Sequence, residues 1–355
     1  MNQQQSVPKI DTKLVRKLGA RAKQFTLCQM SHCTPFSLRY GSASCANAYP
    51  LPVSQQPLWQ ANERGCSASI DLPEIAPDSI VVPSLSLPTQ TTRFQFSIQI
   101  PNSEPPETSA LTPVPSAKDD KNTNSASTGA LSAHIDCWHT HKLVQGATLT
   151  VQVDGPIPLH WMLVVSSRPL ALQPQVPEAV AIEPVEGMQA WSQHNGPAAI
   201  ARRICSPTAT AMALSRLDPQ ANFVNSVAAC HDVATNAYGV WPLAINFGAR
   251  LGFAGAVETF TDWSLPEQLL EQGIPLVCSV RWDKDTLKNA PMPSSQGHLV
   301  VLYGLNQDQV LVMDPAAATD DQVPRRYDAQ EFSTAWLARR GAAYVFAGLP
   351  VRQPS

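Results

Sequence analysis

Residues 204–214, Ile204-Cys205-Ser206-Pro207-Thr208-Ala209-Thr210-Ala211-Met212-Ala213-Leu214, read as a helix entered through a cysteine. Ala, Met and Leu favour the helix, predicted over 207–217. Pro207 suits the first turn, where the N–H it lacks has no intrahelical acceptor. A thiol at that end faces unpaired backbone N–H groups and the positive end of the helix dipole, and both favour the thiolate. A thiolate is the nucleophile that acyl transfer needs. Cys205 is therefore the candidate nucleophile. Free Cys is otherwise a small core residue, and Cys230 and Cys278, in predicted helix and strand interiors, are read that way.

The base is sought downstream. Gly297-His298-Leu299-Val300-Val301-Leu302-Tyr303 puts His298 at the head of an apolar strand, and after a turn at 306–308 a second strand ends at Asp314-Pro315. Two strands joined by a short turn bring Asp314 towards His298. A carboxylate there holds the imidazole in one tautomer and stabilises its protonated form. Upstream, Trp191-Ser192-Gln193-His194-Asn195-Gly196 offers Gln193 as an oxyanion donor beside the Cys205 N–H, with His194 and Gln296 as polar alternatives.

The chain around this set divides by composition. Most of its 32 Pro residues lie before about residue 190, in a half also rich in Ser, Thr and Gln, which suits short strands and loops. Residues 93–100 and 147–153 alternate polar and apolar, and 159–165 is a continuous apolar run. Alternation marks a sheet with one wet face. The expectation is an N-terminal, antiparallel, β-sandwich-like domain over 30–172, after a flexible 1–29 and before a linker at 173–187. Residues 101–129 lack apolar periodicity and read as a disordered insertion. Further helices are predicted at 221–237, 241–251, 265–272 (stopped by Gly273) and 329–340. Strands are predicted at 275–282, 298–303, 310–313 and 343–348. Helices followed by strands describe an α+β domain over 188–350.

Composition excludes several classes. A net charge of -3 and only 15% charged residues give no basic surface for nucleic acid or anionic membranes. No run of about 18 apolar residues occurs, so no membrane span is expected, and the N-terminus lacks the apolar core of a signal peptide. A cytoplasmic location with non-standard export left open is the expectation, and the eight Cys are expected to be reduced. No CxxC pair suggests a zinc ribbon, and Cys28, His32 and Cys33 read as ordinary surface. In 134–141, Cys137, His139 and His141 share a face if that stretch is one strand. Such spacing can build a metal site, but a wet strand face is the reading preferred, and no metal or cofactor is expected. Trp138, Trp161 and Tyr303 are read as core.

The Cys-Ser-Pro-Thr helix start with its upstream Gln resembles the bacteriocin-processing (double-glycine leader) cysteine peptidase-like family of the papain-like superfamily. The same order continues through Tyr238-Gly239-Val240-Trp241-Pro242, Ala249-Arg250-Leu251-Gly252-Phe253, Leu269 to Val277, Gly297 to Val301 and Met313-Asp314-Pro315-Ala316. The likeness spans about 188–348. It implies a papain-like domain with a Cys205–His298–Asp314 site, Gln193 as oxyanion residue and a peptide or protein substrate. Ile204 departs from the aromatic or Gly usual before the Cys, and Ala209 from a Ser that often follows the Thr. The chain has no GxxxxGK[ST], so the leader processing coupled to an ATPase in transporter-fused members is not expected.

Two functions follow. One is a cysteine hydrolase of peptide or amide bonds working through a thioester, with acyl transfer as a variant. The other is an inactive papain-like scaffold that binds peptides or glycans. Oligomeric state has no signature in the sequence.

Overall fold

The alternation read at 93–100 and 147–153 becomes two paired strands whose inward residues, Phe94, Phe96, Ile98, Leu149 and Val151, are all but inaccessible. A computed structural model describes residues 35–348 except 57, 89–91, 102–106, 121–128 and 180. The expected flexible segment 1–29 and the Cys28–Cys33 stretch lie outside the described residues.

The strands before residue 190 are β1 (Phe36–Gly41), β2 (Trp59–Asn62), β3 (Gly65–Asp71), β4 (Ser79–Ser86), β5 (Phe94–Ile100), β6 (Glu107–Ala110), β7 (Leu131–Ala133), β8 (Trp138–Thr140), β9 (Thr148–Val153), β10 (Met162–Pro169) and β11 (Ala181–Ile182). Those after it are β12 (Phe253–Thr259), β13 (Leu276–Trp282), β14 (Ser295–Asn306), β15 (Gln309–Met313), β16 (Pro324–Asp328) and β17 (Ala342–Gly348). The α-helices are α1 (Ala43–Ala48), α2 (Cys205–Ser215), α3 (Phe223–Ala229), α4 (Trp241–Arg250), α5 (Ser264–Glu271) and α6 (Ala329–Trp336). They form a mixed α/β protein with three antiparallel sheets. Two have five strands, in the orders β1-β10-β4-β8-β7 and β2-β3-β9-β5-β6; the third runs β12-β17-β13-β14-β15-β16, with β11 added to β14.

Several expectations change. Part of the 101–129 insertion is ordered: β6 pairs with β5, and Val114 exchanges backbone hydrogen bonds with Phe94. Pairing with a formed strand supplies the order that 107–114 cannot supply alone; 121–128 lie outside the described residues. The 173–187 linker contains β11, and Ile182 and Val185 are buried. The helix expected over 221–237 ends at Ala229, because 230–237 form a turn closed by an Asp232–Ala237 bridge. The 329–340 helix ends at Trp336. β12 stands between α4 and α5, so helices and strands are interleaved. Gly273, at φ 72, stops α5 as expected, and the next N–H, of Ile274, bonds back to Leu269 O. Trp138 and Trp161 are core; Tyr303 is only half-buried.

All described residues fall in one compact unit, Thr34–Ser355. The first half meets the second along β12. Glu258 on β12 is fully buried and accepts from Arg39 Nε at 2.7 Å, Arg39 Nη2 at 2.9 Å, Ser37 Oγ at 2.9 Å and Tyr49 Oη at 3.1 Å. Ser84 and Ser86 on β4 accept from the N–H groups of Val257 and Gly255. Pro83 is tolerated in β4 because β8 pairs only with Ile80 and Val81, leaving Pro83 without a partner on that side. Arg168, 1% exposed, donates to the carbonyls of Phe260 and Leu337, both at 2.6 Å.

Candidate active site

Helix α2 is buried nearly all round, from Ser206 to Leu214, as its lack of a polar face requires. Cys205 is its first residue and is only partly buried, so the sulfur stands at the N-terminal end of a helix fixed in the core. Ser206 turns inward to Tyr344 Oη on β17 at 2.9 Å, and Thr208 and Thr210 bond back to the carbonyls of Ile204 and Ser206.

β14 carries His298, 2% exposed, opposite Val280, with its ring edge-on to Trp282 at 5.8 Å. The tight turn at 307–308 returns the chain as β15 in antiparallel register, Val301 opposite Met313. Asp314 follows directly, fully buried, with Oδ1 2.7 Å from His298 Nε2. That contact leaves Nδ1 as the ring nitrogen available to the thiol, and His298 and Cys205 are close enough to shift each other's ionisation. Asp314 Oδ1 also accepts from the Ala316 N–H at 2.8 Å, and Oδ2 from Tyr327 Oη at 2.6 Å.

The electrostatics favour an ion pair. Burial alone pushes the Cys205 thiol up, but the hydrogen bond and charge of His298 and the Leu299 N–H outweigh it, and the thiol ionises below its ordinary range. Burial alone lowers His298; the charge and hydrogen bond of Asp314, then those of Cys205, carry it up to about 10. Burial likewise works against the Asp314 carboxylate, but His298, Tyr327 and the Ala316 N–H hold it below the usual range. The other buried thiols move the opposite way: burial raises Cys230 to about 12 and Cys278 well above its ordinary value.

Gln193 opens a short 3₁₀ turn, Gln193–Asn195, tied to the loop after Asp314. Its N–H donates to Pro315 O at 2.7 Å, and Ser192 Oγ donates to Ala317 O at 2.5 Å. Asp320 Oδ1 accepts from the Ser192 N–H and from Asn195 Nδ2. The Gln193 side chain is 3% exposed and its Oε1 has no partner within the protein. His194 and Gln296, the polar alternatives, are exposed. The structure thus brings together Cys205, His298 and Asp314 and sets Gln193 on the adjoining loop.

Tyr327 was not visible from sequence. It lies in Pro324-Arg325-Arg326-Tyr327-Asp328, a polar stretch without alternation, and becomes strand only by pairing with β15. The stretch 134–141 does not form one strand: β8 spans three residues, Cys137 is buried and His141 exposed, so they share no face. Among the described residues no three His, Cys, Asp or Glu side chains gather to hold a metal ion. The described cysteines, Cys45, Cys66, Cys137, Cys205, Cys230 and Cys278, are free thiols. No described helix is long and apolar enough to cross a membrane.

Residues 185–344 match the model of the Peptidase_C39 like family, and the resemblance read from the motifs is borne out. No curated protein matches the chain. Among solved structures, the chain is similar to a double glycine motif protease from an AMS/PCAT transporter in complex with the leader peptide, at 16% identity, covering 50% of this chain and 99% of that one, with a TM-score of 0.31. It is also similar to a C39-like peptidase from Bacillus anthracis, at 18% identity, covering 43% and 90%, with a TM-score of 0.33.

Proposed function

We propose that the chain is a cysteine peptidase of papain-like fold, in which Cys205 is the nucleophile, His298 the general acid and base, Asp314 its orienting carboxylate and Gln193 an oxyanion donor. The observation that carries the reading is the 2.7 Å contact of His298 Nε2 with Asp314, which leaves the other ring nitrogen for a thiol at a helix N-terminus. The Cys205 thiolate attacks the peptide carbonyl carbon. The C=O pair moves onto oxygen, where the Cys205 N–H and the Gln193 side chain donate to it. The intermediate collapses, the C–N bond breaks, and His298 gives its proton to the departing amine. Water, deprotonated by His298, then attacks the thioester, releasing the carboxylic acid and restoring the thiolate.

The family supports a peptide or protein as substrate. We read the first half, with its two five-stranded sheets, as a β-sandwich-like domain that supports the second half across the buried contacts of β12.

The test is the pH dependence of iodoacetamide labelling at each Cys, read by mass spectrometry. Cys205 labelling that persists well below the free-thiol value of about 8.5, and is weakened by His298→Ala, is the expected result. Labelling of Cys205 no faster than that of the other thiols overturns the proposal in favour of an inactive scaffold.

A further inference from the structure

A recess of about 430 Å³ opens beside the candidate site, lined by His194, Pro291, Ala316, Ala318, Gln322 and Arg325. Its walls are shared with the site. Ala316 supplies an N–H to Asp314 Oδ1, and His194 follows Gln193, whose own N–H binds Pro315 O. Arg325 and Tyr327 lie two residues apart on β16 and so project to the same face. Tyr327 reaches Asp314 from that face, which places Arg325 one pleat further along on the Asp314 side. No residue of α2 lines the recess.

This asymmetry assigns the recess a place in the reaction. In the peptidase reading the acyl part stays on the Cys205 sulfur, at the α2 side, while the amine leaves towards His298, with Asp314 behind it. The recess adjoins the Gln193 turn and has no wall from α2, and on that ground we infer that it belongs to the leaving side.

Its chemistry is cationic. Arg325 Nη1 donates to Asn289 O at 2.7 Å, which steadies the guanidinium, while Nε is buried without an acceptor in the protein. None of the lining residues is a carboxylate. Nearby Asp320 is already engaged by Ser192 and Asn195 through its Oδ1. Among the described residues no hydrogen bond engages Nη2, and it is there, not at the buried Nε, that a carboxylate entering the recess gives the guanidinium a charge-assisted partner.

We propose that the recess receives the first side chain on the leaving-group side of the cleaved bond, and that Arg325 selects an acidic residue there; this rests on the peptidase reading.

The test is cleavage of a proteome-derived peptide library by the full chain, with the new N-termini sequenced by mass spectrometry. Cys205→Ala defines the background, and Arg325→Gln and Arg325→Lys are compared with wild type. One charge-assisted contact is worth about tenfold in preference. Wild-type cuts are expected to be enriched by that factor for Asp or Glu immediately after the cut, with the enrichment lost in Arg325→Gln and partly kept in Arg325→Lys. The readout is a ratio within one sample, so partial unfolding of a variant does not move it. No acidic enrichment, or the same enrichment in Arg325→Gln, overturns the proposal. Absence of any Cys205-dependent cut refutes the peptidase reading instead. The recess is then judged without turnover, by protection of Cys205 from iodoacetamide. Protection by Asp-Ala-Ala amide exceeding that by Ala-Ala-Ala amide, and lost in Arg325→Gln, upholds the acidic subsite; equal protection by the two peptides refutes it.

Discussion

Tyr327 donates a 2.6 Å hydrogen bond to Oδ2 of Asp314, while His298 lies 2.7 Å from Oδ1 of the same carboxylate. A carboxylate held at both oxygens cannot rotate, so the imidazole it contacts keeps one orientation. In the proposed mechanism Tyr327 is thus a positioning residue that acts on Cys205 through two intermediaries.

Tyr327→Phe removes one of the interactions that hold Asp314 low and leaves a buried oxygen without that donor. The expected loss of stability is about 1–3 kcal/mol, measured by urea unfolding. The rate of Cys205 alkylation at pH 7 is expected to fall, because a carboxylate held at only one oxygen no longer fixes the imidazole that stabilises the thiolate. An unchanged rate refutes the positioning role.

His298→Ala leaves burial as the leading influence on the Cys205 thiol, which then ionises above its ordinary range rather than below it. Alkylation of Cys205 at pH 7 is expected to fall, by about tenfold for each pKa unit that the thiol rises. Asp314→Asn is expected to act in the same direction. Unchanged alkylation in both variants contradicts the ion pair.

The same pair makes stability depend on pH. His298 is raised to about 10 in the folded state, against about 6.5 in the unfolded chain. Its contribution is complete below the lower value and is lost as pH rises through the upper one. Asp314 is depressed, so its contribution is present above about 3.9 and is lost as pH falls through its folded value. Urea unfolding from pH 5 to 10 is expected to show an alkaline decline in wild type that His298→Ala lacks. Parallel curves for the two proteins contradict the shift.

Gln193→Ala is expected to slow turnover of any peptide the wild type cleaves by about 10²–10³, with the pH profile of Cys205 alkylation preserved. Stabilising the oxyanion is separate from ionising the thiol. A changed alkylation profile with normal turnover reverses that assignment.

Glu258→Ala strands the Arg39 guanidinium at the contact between the halves. Breaking a buried pair costs about 3–5 kcal/mol, read as a drop in the urea midpoint. A loss smaller than about 1 kcal/mol, the scale of a surface pair, refutes the clamp.

What was legible in the sequence was local. Alternation over 93–100 and 147–153 reflects which face of a strand is buried, and seven residues suffice to display it. The cysteine at a helix start, and a histidine and an aspartate on either side of one hairpin, are features of short segments too. Their spacing already set His298 near Asp314. Order in 107–110, the strand at 181–182 and the strand bearing Tyr327 were hidden because each depends on a partner strand elsewhere in the chain.

Sequence by itself determined the elements and their chemistry: a buried helix entered through a thiol, an apolar hairpin flanked by an imidazole and a carboxylate, and a β-rich first half. Only the tertiary structure decided that His298 comes near enough to Cys205 to govern its ionisation, that Tyr327 secures Asp314, and that Arg39 closes on Glu258. Propensity and periodicity act within a few residues along the chain. Contacts that stand far apart in sequence form only when folding closes the intervening loop, and no local pattern records which distant groups will then be neighbours.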